Sequence, residues 1–204
     1  MKFYYDDYLK KIINVRDNKE HLVEAKFYTE KLIIRKVSVL KEGRGKIYVR
    51  KSVAKMLKEA EKYLPPTYQF ILYDGFRPKK TQKVYFKNHL KRIKEKYPEW
   101  NEKKLKREAS KFVANSEIVC PHNTGGAIDI SLAKNGRQIP MGGFHLYEEK
   151  NVSKRCKKNR EFLKKILSKV GFVNYPLEWW HWSYGDRYWA AVKKRKYAIY
   201  KEIE

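Results

Sequence analysis

Pro121-His122-Asn123-Thr124-Gly125-Gly126-Ala127-Ile128-Asp129 decides how this chain is read, and it has to be read together with Glu178-Trp179-Trp180-His181. The two segments hold two of the five histidines and two carboxylates, set among few other charges. His181 stands 52 residues beyond Asp129 in the 204-residue chain, so only a fold that joins the segments can make one site of them. Gly125-Gly126 allows the backbone a tight or left-handed bend. His122 can then sit in a loop and Asp129 on the strand that follows, both aimed at one point.

Two imidazoles and a carboxylate form a nitrogen/oxygen set that suits one Zn²⁺ with a fourth position left open. An open position takes water, and zinc lowers the pKa of that water to about 7. On spacing alone, the ordinary reading stands beside this one: a histidine satisfied in the core or exposed to solvent. Glu178 is harder to explain in that way, because a carboxylate among three tryptophans needs a partner or a raised pKa. Residues i and i+3 of a regular strand face opposite ways. Glu178 and His181 therefore serve one site only if Glu178 lies in the loop after Pro176, before the strand begins. There it would act as a general base. Arg77, fixed between Phe76 and Pro78 at the end of a strand, is the candidate to steady the charge that develops on an attacked carbonyl.

Outward from these segments the pattern is mixed. Strands are expected over 31–34, 37–40, 47–49, 68–73, 127–132 and 179–184, with a further short one over 197–200. Helices are expected from Ser52, read as an N-cap, to before Pro65-Pro66, then over 79–95, near 101–115 and over 157–170, with Gly171 as the stop. Pro78 suits the first turn of the second helix. Asn135-Gly136 marks a two-residue hairpin, and Asp186 caps a short helix through Trp189. Strands and helices do not alternate regularly, which predicts an α+β fold with a central, mainly antiparallel sheet flanked by helices. With no repeat and no Gly/Ser/Pro linker, a single domain over 1–204 is expected.

The composition narrows the classes of function. Net charge is +25, but 36 lysines stand against 12 arginines, and the basic clusters are scattered. Readers of bases and phosphates rely on arginine's planar fork. Non-specific, salt-sensitive binding of anions is therefore expected, and no specific nucleic-acid site. Two cysteines make no disulfide framework and fit a reducing, cytoplasmic setting. No window is apolar enough for a membrane span. Oligomeric state is not legible. His21 and His89 read as solvent-facing, His145 as a loop residue and Cys156 as structural.

Three blocks, Asp74-Gly75-Phe76-Arg77-Pro78, residues 121–129 and Glu178-Trp179-Trp180-His181-Trp182, resemble in order and spacing the motifs of the VanX-type D-alanyl-D-alanine dipeptidases. These are zinc peptidases related to the D,D-carboxypeptidases and the Hedgehog-type fold. The resemblance covers about 65–185 and is weak before residue 60. It implies that His122, Asp129 and His181 bind one zinc ion, that Glu178 is the catalytic base, and that Arg77 steadies the transition state. It also implies that Cys120, Tyr73 and Asp74 touch a small dipeptide substrate.

Two departures bear on which substrate that is. Cys120 stands where the family usually has serine. The block Met141-Gly142-Gly143-Phe144-His145-Leu146 lacks in register an aspartate that would hold the substrate's amino end, for which Glu148 or Glu149 could substitute. The alternatives are a D,D-carboxypeptidase or endopeptidase acting on larger cell-wall peptides, and a basic or metal-bound binding module without hydrolysis.

Overall fold

A computed structural model of the chain describes residues 13–35, 45–110, 120–143 and 152–203. The expected strand over 37–40, the end of the helix near 101–115, His145, Glu148 and Glu149 lie outside the described residues.

The architecture is the expected α+β arrangement. β1 (Asn14–Val15), β2 (Leu22–Glu24), a 3-10 turn (Ala25–Phe27), β3 (Leu32–Ile34) and β4 (Tyr48–Arg50) lead into α1 (Lys51–Glu61). β5 (Tyr68–Asp74), α2 (Lys79–Lys96) and α3 (Glu102–Ser110) follow, then a 3-10 turn over Pro121–Thr124 that opens into β6 (Ala127–Lys134) and β7 (Arg137–Gln138). α4 (Lys154–Lys169), β8 (Val173–Tyr175), β9 (Glu178–Ser183), α5 (Arg187–Val192) and β10 (Tyr197–Ala198) complete it.

The central sheet runs β3-β5-β6-β9-β8, with β7 added to β6; only the β3–β5 pair is parallel. Along β5 and β6 the side chains alternate between its faces. Phe70, Leu72, Ile128, Ile130 and Leu132, with Trp182 from β9, form the main core with Val53, Ala54 and Leu57 of α1 and Leu163, Ile166 and Leu167 of α4. The opposite face carries Ile71, Tyr73 and Ala133 and, in the same alternation, Asp129. No helix among the described residues is long and apolar enough to cross a membrane.

Local chemistry explains most of the boundaries. Asn135 and Gly136 both adopt positive φ, 51° and 74°, as a type I′ hairpin requires. Ser153 accepts the amide of Cys156 and caps α4, and Gly171 follows the helix at φ 106°. One expected cap is corrected: α1 begins at Lys51 after Arg50, and the Ser52 hydroxyl instead donates to Glu20 at 2.7 Å. Ser52 lies inside the first turn, so its side chain is free for that tertiary bond. Pro78 precedes α2 and is not within its first turn.

Candidate metal centre

The turn over Pro121–Thr124 is built by its own residues. Pro121 starts it, Thr124 Oγ1 donates to the Pro121 carbonyl at 2.6 Å, and Gly125 closes it at φ 72°. It docks on the segment after β5 through three bonds. The Arg77 amide donates to the His122 carbonyl at 3.0 Å, Asn123 Nδ2 donates to the Arg77 carbonyl at 2.5 Å, and His122 Nδ1 lies 2.8 Å from the Gly75 carbonyl. A carbonyl only accepts, so His122 carries its proton on Nδ1 and turns the Nε2 lone pair inward.

Asp129 and His181 are direct partners across the β6–β9 pair, so their side chains share a face. His122 Nε2 lies 3.0 Å from His181 Nδ1 and 3.3 Å from Asp129 Oδ1, and His181 Nδ1 lies 3.1 Å from that same oxygen. All three residues are largely buried. Ligands about 2.0–2.1 Å from a tetrahedral zinc stand roughly 3.3 Å apart, close to this triangle. Two imidazole nitrogens and a carboxylate oxygen that close together could hold a metal ion, and the donor set fits zinc. Burial alone would raise the Asp129 carboxyl, but His122 and His181 hold it far below the usual carboxylate range. Burial pushes the His181 imidazole down.

Glu178 is at the same centre, with Oε2 3.9 Å from His181 Nδ1. The route differs from the expected one: Glu178 is the first residue of β9, not a loop residue. The register slips between β8 and β9, with Asn174 opposite Trp182 but Tyr175 opposite Glu178. That irregularity breaks strict alternation, so Glu178 and His181 meet on one side while Trp179 and Trp182 both turn to the core. Asn174 Nδ2 bridges the break, donating to the carbonyls of Glu178 and His181 at 2.9 Å each. Burial, reinforced by Asp129, raises the Glu178 carboxyl well above its ordinary value; Arg77 pulls the other way.

Arg77 reaches the centre tethered. Its Nε and one terminal nitrogen donate to Asp74 Oδ2 at 3.0 and 2.7 Å, and the other donates to Gln82 Oε1 at 2.7 Å. The first of those terminal nitrogens lies 3.8 Å from Asp129 Oδ2, and the guanidinium stacks over Tyr85 at 4.6 Å. Asp74 thus holds Arg77 through Oδ2, while its Oδ1 accepts the Gly75 amide at 2.9 Å. Cys120 is buried beside the centre, its thiol pushed up to about 11 by burial against the pull of Arg77. Tyr73 packs with Ile71 and Ala133, and burial pushes its hydroxyl up from the ordinary phenol value.

Gln82 and Asn174 carried no motif signal, and Gly75, inside the first motif block, was not singled out as a contact of His122. Gly75 acts through its backbone, and the others through contacts that follow only from how α2 and β8 are placed.

Known proteins resemble this chain in sequence and in fold. The family model described as D-ala-D-ala dipeptidase matches residues 18–201. A D-alanyl-D-alanine dipeptidase of Synechocystis sp. is 26% identical over 79% of this chain and 79% of its own. One of Enterococcus faecium is 30% identical over 64% of this chain and 69% of its own. The solved structure of VanYB in complex with D-Alanine-D-Alanine has the same fold, with a TM-score of 0.52 at 18% identity, covering 78% of this chain and 83% of that one. The match reaches well outside the 65–185 region of the motifs, and with nine-tenths of the sequence covered the chain belongs to the D-Ala-D-Ala dipeptidase family of peptidases.

Proposed function

We propose that this chain is a single zinc dipeptidase domain that hydrolyses a D,D-dipeptide such as D-Ala-D-Ala. The observation that carries the reading is the convergence of His122 Nε2, His181 Nδ1 and Asp129 Oδ1 beside a buried Glu178 whose affinity for protons is raised. His122, Asp129 and His181 would hold one zinc ion, which when bound supplies a Lewis acid and lowers the pKa of water to about 7.

The chain's own residues supply the rest. Glu178 takes a proton from the attacking water on Oε2 and returns it to the leaving amine nitrogen. Arg77, oriented by Asp74 and Gln82, donates to the oxygen of the attacked carbonyl as negative charge develops there. Being already fixed, it spends little reorganisation at the moment of reaction. Cys120, neutral at pH 7, walls the substrate site as a small and weakly polar surface.

The test is an assay of purified, zinc-loaded protein on D,D-, L,D- and L,L-dipeptides and on a longer peptide ending in D-Ala-D-Ala. Cleavage of a D,D-dipeptide, abolished by 1,10-phenanthroline and restored by zinc, is the expected result. No dipeptide cut at any zinc loading refutes the reading. Cleavage of the longer peptide alone reassigns the protein as a carboxypeptidase.

A further inference from the structure

Of the three groups that would hold the ion, Asp129 and His181 are fixed by the β6–β9 ladder, where they stand opposite each other in register. His122 is not on that ladder. It sits on the 3-10 turn over Pro121–Thr124, whose backbone bonds run from the Asn123 amide to the Cys120 carbonyl at 2.9 Å and from the Gly125 amide to the His122 carbonyl at 3.2 Å. Bonds of the 3-10 kind have poor geometry, and so short a turn does not hold its place unaided. How far His122 stands from the other two groups is therefore set by what the turn leans on.

One support is the segment after β5. The carbonyls of the turn lead to another. Asn123 accepts the Ile203 amide at 2.9 Å, Thr124 accepts Arg50 Nε at 2.7 Å, and Gly125 accepts the Arg50 amide at 2.9 Å. The terminal nitrogens of Arg50 go on to the carbonyls of Glu20 and, at 2.9 Å, of Lys201. Its guanidinium carbon lies 5.1 Å from the centre of the Tyr200 ring.

Filling space does not account for Arg50, which is only 4% exposed. Burying a guanidinium costs more than burying an apolar chain of similar size, and good hydrogen bonds must offset that cost. All three of these side-chain bonds end on main-chain oxygens of segments far apart in sequence. What the charge holds is the placement of those segments, and the His122 turn is one of them. Asn123 carries the effect further: its side chain donates to the Arg77 carbonyl, and the Arg77 amide donates to the His122 carbonyl at 3.0 Å.

We propose that Arg50 is a positioning residue of the metal centre: with the Ile203 amide it holds the His122 turn at its distance from the β6–β9 pair, and so sets zinc affinity and the placement of Arg77. The inference rests on the metal reading of the site given above. Ile203 lies just beyond residues 18–201, so its contact is one that the family match does not carry.

Four substitutions test it. Arg50→Lys keeps the charge and the stem, but its single nitrogen cannot serve three separate acceptors. Ile203→Pro removes the amide that reaches Asn123, and Ile203→Ala keeps it. Leu163→Ala, in the α4 part of the core, lowers stability by opening a cavity and is the control for a merely structural effect. Zinc dissociation constants are measured by competition with a chromophoric chelator, well below the Tm of each metal-free protein. Arg50→Lys and Ile203→Pro are expected to weaken zinc binding roughly tenfold, while Ile203→Ala and Leu163→Ala stay within about twofold of the parent. Should Arg50→Lys give no folded protein, the two Ile203 variants decide. Parent-like zinc affinity in Ile203→Pro overturns the proposal, and so does a loss in Leu163→Ala as large as in the other variants. At saturating zinc, kcat should fall in Arg50→Lys and Ile203→Pro; an unchanged kcat overturns the link to Arg77. A parent protein that binds zinc and cuts no dipeptide refutes the dipeptidase reading, while the positioning role is still judged by zinc affinity.

Discussion

Glu178 and Arg77 enter one buried centre, and the Asp129 carboxylate acts on both. Burial favours the protonated form of Glu178, and the Asp129 carboxylate, held ionised by two imidazoles, adds to that by repelling charge on it. Arg77 stays charged because Asp74 and Asp129 outweigh its desolvation. Two predictions belong to this scale. Glu178→Gln keeps the shape and removes the base; elemental analysis should find zinc retained while turnover falls by about 10²- to 10⁴-fold. Unaltered turnover would take Glu178 out of the mechanism. Arg77→Lys keeps the charge but loses the planar fork that engages Asp74 and Gln82 together. The expected fall in kcat is about 10²- to 10³-fold, the size seen when one donor to a developing oxyanion is lost.

At the scale of elements, the β8–β9 irregularity decides whether Glu178 and His181, three residues apart, can share a site. Asn174 holds that irregularity through two carbonyls. Asn174→Ala strips both of their donor, and a loss of about 1–3 kcal/mol is expected in denaturant unfolding. Glu178 would shift relative to His181, so kcat should fall more than zinc affinity does. The start of β6 is equally constrained. A Cβ at Gly126 would collide with the carbonyl oxygen of Tyr184 and meet Tyr200 at 2.9 Å, so only glycine lets the His122 turn enter the sheet beside β9. Gly126→Ala should cost about 1–3 kcal/mol, as other overpacked sites do, with weakened zinc binding read by chelator competition.

At the scale of the whole molecule, segments distant in sequence are tied to the site. Arg50 is buried and donates to the carbonyls of Glu20, Thr124 and Lys201, joining the segment before β2, the His122 turn and the segment after β10. The Ile203 amide also reaches the Asn123 carbonyl, at 2.9 Å. Glu20 anchors the same region, accepting from Ser52 at 2.7 Å and Tyr200 at 2.8 Å. Burial alone would raise the Glu20 carboxyl, but these hydrogen bonds and Arg50 together bring it below its ordinary value. A carboxyl lowered by folding contributes stability above its unfolded pKa, and that contribution is lost as pH falls through the folded value. Chemical denaturation from pH 7 to pH 3 should therefore show a larger loss for the parent than for Glu20→Gln. Equal losses would remove Glu20 from the acid response. The +25 charge acts over the whole surface. Elution from heparin should weaken steeply with salt and show no preference among DNA sequences; a tight sequence-specific site would contradict this.

The residue types of the centre were legible in sequence because metal chemistry needs imidazole and carboxylate groups whatever carries them, and two glycines beside His122 announce a bend. Strand and helix placement was legible where alternation or helical spacing ran unbroken, as in β5, β6 and α4. What only the tertiary structure decided concerns contacts between distant segments. The slip that puts Glu178 with His181 depends on Asn174 of another strand, and Ser52 left its expected cap because Glu20 came within reach. The same holds for Arg50, whose three acceptors lie on segments far apart in the chain and are backbone oxygens, which every residue has. A sequence names the groups able to do chemistry, but a backbone carbonyl acquires its partner only when the chain closes around it.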